Sequence, residues 1–173
     1  MKLHIVVLLL ITSLLSAQAA WPPAAIHEVR AYVYDYTQEK GNVSLLKGGK
    51  IHSGLINTGG AKLSDKQVAE LIKALNSPIG GIPKARCYMP HHGFVFLSEE
   101  GKAIGHIELC FQCGRFRSTP EGGPTDKVDW KSIQKLLGDL KIPILAKSLD
   151  YTDLFQKNNP KREQADGGNQ IQR

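Results

Sequence analysis

The spacing of apolar and polar positions divides the chain into segments with two different periods. In EVRAYVYDYT (28–37) the side chains alternate. Val29, Ala31 and Val33 fall on one face, with Tyr32, Tyr34 and Tyr36 on the other, a two-residue period that predicts a strand. QEKGN reads as a turn, and VSLLKGGKIHSGLIN holds a second strand broken near Gly48 and Gly49. After the loop TGGAKL the period lengthens. In SDKQVAELIKALNSP, Val68, Leu71, Ile72 and Leu75 share a helical face. Ser64 followed three residues later by Gln67 predicts a capping box at its start, and Asn76 and Pro78 end it.

The second half repeats this order. IGGIPKAR is a loop, GFVFL (93–97) a short apolar strand, and SEEGK a hairpin turn in which Gly101 can take positive φ. AIGHIELCF (103–111) is the partner strand. RSTPEGGPT reads as an exposed loop. DKVDWKSIQKLLGDL is a second helix with Trp130, Ile133, Leu137 and Leu140 on its buried stripe, and PILAKSLDY adds a short final segment. From about Gln156 the chain turns polar and reads as a disordered tail over 156–173. The order β-β-α-β-β-α does not alternate single strands with single helices. It predicts an α+β fold, an antiparallel sheet with two helices packed on one face, as a single domain over 24–155.

The first nineteen residues stand apart from this fold. Lys2 precedes an apolar run from Ile5 to Leu15, and Ala17 and Ala19 form a small-residue cleavage pattern, so 1–19 reads as a signal peptide. The run is too short to span a bilayer, which takes about 20 residues. The expectation is an exported protein, periplasmic or secreted, with no stable membrane insertion once the signal is cleaved. The formal charge of +6 is mild and scattered, and its densest cluster, KNNPKREQ, lies in the tail. No basic stripe with interleaved aromatics appears, which excludes a nucleic-acid surface.

Three cysteines are an odd number for an oxidising compartment, so at most two pair within the chain. They occur as Cys87-x3-His91-His92 and Cys110-x2-Cys113-Gly114. The first group enters one strand of the predicted hairpin and the second leaves its partner, so both come to the same end of the sheet. Cys110 and Cys113 would point to opposite faces of a straight strand. Joint action requires a turn there, which Gly114 favours.

The form C-x-x-C-G is the knuckle of zinc ribbons. With Cys87 and one histidine the set becomes Cys87, His92, Cys110 and Cys113, a Cys3His group suited to Zn or Cu(I). His92, which opens the strand, is the preferred histidine and His91 the alternative ligand. A metal ion or a protein is the expected partner, in a structural or metal-handling role rather than a catalytic one. Two other readings stand beside it. One is a thiol–disulfide protein using Cys110 and Cys113. The other is a disulfide-stapled interaction module, joined through Cys110–Cys113 or through Cys87 with either. His106 and Glu108 share a strand face with Ile104 and Cys110, and read as a solvent-facing polar stripe rather than an acid–base pair. No GxSxG, HExxH, P-loop or dinucleotide-binding glycine motif is present.

The stretch CYMPHHGFVFLSEEGKAIGHIELCFQCG resembles a family of small exported bacterial proteins, many of them lipoproteins. These carry a Cys-x-x-Pro-x-His segment, a strand and turn, and an Ile-Cys-Phe-x-Cys strand. The matching residues are Cys87, Pro90, His92, Cys110, Phe111 and Cys113. The resemblance is strong over about 30 residues and looser in the flanking helices. This chain lacks the lipobox cysteine, so membrane tethering does not carry over. The family has no assigned activity, so the resemblance implies fold and site and leaves function open.

Overall fold

The computed structural model describes residues 21–22, 25–77, 86–121, 123 and 128–160. The predicted signal peptide and the last thirteen residues of the predicted tail lie outside them. Among the described residues seven strands form: β1 (Glu28–Val33), β2 (Leu46–Lys47), β3 (Lys50–Ile51), β4 (Ala61–Lys62), β5 (His92–Leu97), β6 (Ala103–Cys110) and β7 (Arg115–Thr119). The α-helices among the described residues are α1 (Asp65–Leu75), α2 (Trp130–Asp139) and α3 (Ser148–Asn158). Five strands make one antiparallel sheet in the order β4-β1-β5-β6-β7, while β2 and β3 pair separately. The fold is α+β, as the order of periods predicted.

Both faces of this sheet are covered. On the first, Val29, Ala31 and Val33 of β1 join Phe94, Phe96, Ile107 and Leu109, and all three helices pack there through residues such as Leu71, Leu75, Ile133, Leu137, Tyr151 and Phe155. On the second, Tyr32, Tyr34 and Val95 are covered by Leu45 and Leu55, from the excursion that carries β2 and β3. The apparent second strand is therefore a small hairpin. Gly48 and Gly49 form its turn, both at positive φ, as such a tight connection requires.

The ends of the helices follow their capping residues. Ser64 Oγ accepts from the backbone N–H of Gln67, and the Gln67 side chain accepts from the N–H of Ser64, completing the predicted box. Asn76 closes the same helix. The α2 helix begins later than its periodicity suggested because Asp129 caps it, accepting from Ser132 N–H at 3.1 Å. Its buried stripe takes Leu136 in place of Leu140, which sits at the C-cap. The α3 helix extends the domain through 156–158, residues that read as tail; Tyr151 and Phe155, four apart, anchor it to the core.

Candidate functional site

The predicted β5–β6 hairpin forms with His92 opposite Leu109, so its two open ends do meet. Direct partners share a face. His92, Phe94, Ile107 and Leu109 therefore look toward the helices, while Val95, His106, Glu108 and Cys110 look toward the second face. Ile104 breaks the alternation. The register shifts between Phe96 and Leu97, and Ile104 packs with the helix-side core rather than with His106.

After Cys110 the chain leaves the strand in the turn that the sequence required. Cys113 N–H donates to Cys110 C=O at 3.3 Å, and Gly114 takes φ 58°. The turn carries Cys113 to Cys87, and the two form a disulfide with Cα atoms 5.8 Å apart. Cys110 is a free, buried thiol whose Sγ accepts from Met89 N–H at 3.4 Å. All three cysteines thus gather at one corner of the sheet, with Cys113 joined to Cys87 and not to Cys110. Among the described residues, no group of three or more His, Cys, Asp or Glu side chains could hold a metal ion.

The two histidines at this end have other partners. His92 is on the opposite face from Cys110. Its Nε2–H donates to Pro143 C=O at 2.9 Å, and its ring packs edge-on to Phe111 and Tyr151. Burial pushes its pKa down to about 4, with a smaller push from His91, against the hydrogen bond to Pro143. His91 stacks flat on Tyr151 at 3.8 Å. Its Nδ1–H donates to Tyr34 C=O at 3.0 Å, which leaves Nε2 to accept from the Ser148 hydroxyl at 3.1 Å. Burial lowers its pKa as well. Both rings tie α3 and the segment before it to the sheet.

The stripe read as solvent-facing is buried. Glu108 is 1% exposed and His106 6%. The cause is the β2–β3 excursion, which lies over this face. Leu45 N–H donates to Glu108 Oε1 at 2.9 Å, Tyr88 O–H donates to Oε2 at 3.1 Å, and His106 Nε2 lies 3.3 Å from Oε1. His106 Nδ1 has no hydrogen-bond partner among the described residues. Above this cluster the guanidinium of Arg117 sits 4.2 Å over the Tyr88 ring. Burial, the Glu108 charge and the hydrogen bond to it together push the Tyr88 phenol far above its ordinary range. Tyr88 is thus a neutral donor at any physiological pH. Sequence alternation placed Glu108 and His106 on one face correctly. It carried no sign that residues 45 and 88 would cover them.

No family model, curated protein or solved structure matches the chain. No helix among the described residues is long and apolar enough to cross a membrane.

Proposed function

We propose that this chain is an exported interaction module whose cysteines serve structure rather than chemistry. What supports this reading is the Cys87–Cys113 bridge. It ties the segment ahead of β5 to the β6–β7 turn, at the one place where three cysteines gather, and leaves the third as an inert buried thiol. The signal-like first nineteen residues give the oxidising destination in which such a bridge persists. The test is a count of thiols and metal on protein purified from its export compartment. One thiol that reacts only after denaturation, a mapped 87–113 disulfide and no bound zinc or copper are expected. Three reactive thiols with one equivalent of metal would sink the reading.

One observation favours a second reading, metal binding in the reduced chain. The Cys110 carbonyl accepts from Cys113 N–H and Cys113 is bonded to Cys87, so reduction of the bridge would free two more thiols at the same corner of the sheet. Three soft ligands suit Zn or Cu(I). His92, held by Pro143 on the other face, would have to leave its site to be the fourth. Zinc or copper titrated into the reduced protein, followed by thiolate charge-transfer absorption, tests it, and a His92→Ala variant asks whether that ring takes part.

A further inference from the structure

We infer that Arg86, Arg115 and Arg117 form a rigid docking surface for an acidic, extended polypeptide segment at the free edge of β7. The inference rests on the stapled-module reading and names the partner class for it.

All three arginines are exposed, and none pairs with a carboxylate among the described residues. They come from two distant segments, so no run of basic residues marks them in the sequence. The disulfide brings them together, because Cys87 is next to Arg86 and Cys113 is two residues before Arg115. Arg115 Nη1–H also donates to Arg86 C=O at 3.4 Å. Arg117 is held by its stack on Tyr88, whose hydroxyl is in turn fixed by Glu108. A guanidinium pre-ordered in this way loses less freedom on binding a carboxylate.

The position selects a polypeptide over other anions. Among the described residues β7 is an edge strand, bonded to β6 on one side only. Gly123 packs against the Ser118 side chain, and no strand among the described residues pairs with the outer edge of Arg115–Arg117. Arg115 and Arg117 share a face and lie about 6.8 Å apart along the strand. An incoming strand with carboxylates at every second residue matches that spacing, while its backbone bonds the free edge. A lipid or nucleic-acid phosphate would use the charge and ignore the edge.

The test uses the mature, disulfide-bonded protein and a fluorescein-labelled peptide with Glu at alternate positions between Thr and Val residues. Fluorescence anisotropy should report binding that weakens at least about tenfold when Arg115 and Arg117 are both changed to Glu, and that falls steeply with added salt. A peptide with Lys in place of Glu should not bind. A third peptide, N-methylated at alternate residues, should lose about tenfold because it cannot pair with the edge. Thermal melting of the double variant checks that it is folded; if it is not, Arg117→Gln alone serves in its place. Equal binding by the N-methylated peptide would overturn the strand-edge assignment. So would binding to phosphatidylglycerol vesicles with no binding to the acidic peptide. The 87–113 bridge is mapped in the same sample. Peptide binding lost with the bridge intact overturns the docking surface alone, whereas three free thiols overturn the stapled module beneath it.

Discussion

His92 shows how one side chain can set the acid stability of the domain. Its folded pKa is about 4, against 6.5 for an unburied histidine. The unfolded chain therefore binds the proton first as pH falls, and stability present above pH 6.5 is lost on the way down to pH 4. At pH 5 the loss is about 2 kcal/mol relative to pH 7. The depressed carboxylates, Glu39 at about 2 among them, begin to lose their contribution only as pH nears the ordinary carboxylate value of 4.5. The window from pH 6.5 to 5 thus belongs to the buried histidines. Urea unfolding at pH 7 and 5 should show this drop, reduced in a His92→Leu variant to what His91 contributes. A wild-type curve flat across that window would falsify the assignment.

Glu108 makes a second prediction at this scale. Its two oxygens are occupied by donors, Leu45 N–H and Tyr88 O–H among them. Glu108→Gln puts an NH2 group against one of those donors inside the fold, and should cost about 2 kcal/mol in chemical denaturation. A change of less than about 0.5 kcal/mol would mean that the site admits water. The pairing of Glu108 with His106 on one face was legible from a two-residue period. Their burial was not, because the covering residues are 63 and 20 positions away in sequence.

Among the elements, those with strong local signals were legible and those defined by partners were not. α1 announced itself through Ser64, Gln67 and a regular apolar stripe. The edge strand β7 did not, since RFRST alternates charge with single apolar and polar residues and takes its strand form from β6. The α3 helix offered only Tyr151 and Phe155 as buried anchors in a polar run. Gly93 is a case in which the reason for the residue appears only in the packing of elements. A Cβ there would come within 2.6 Å of both Ile107 O and Leu45 Cδ2. Glycine at this position lets the β2–β3 excursion lie close on the sheet. Gly93→Ala should push Leu45 outward and destabilise the fold by about 1–3 kcal/mol. Restoration by Leu45→Ala in the same chain, in part, would locate the clash at that contact; no loss in the single variant would remove it.

For the molecule as a whole, the convergence of the cysteines at one corner followed from counting along a hairpin, whereas their pairing did not. Which thiols join depends on where the turn after Cys110 delivers Cys113, and it delivers that sulfur to Cys87. The bridge closes a loop with a sequence separation of 26, which includes the whole β5–β6 hairpin. Constraining a loop of that length in the unfolded chain stabilises the fold by about 3 kcal/mol. A Cys87→Ser/Cys113→Ser variant should therefore melt roughly 10 °C lower. The hairpin is already held by β1, β7 and the helix-side core, so the variant should remain folded at room temperature. Cys110→Ser, by contrast, removes no bridge and should shift the midpoint only by the loss of one weak bond to Met89 N–H. If Cys110→Ser costs as much as the double variant, the working bridge in solution involves Cys110, and peptide mapping of the native protein would identify its partner.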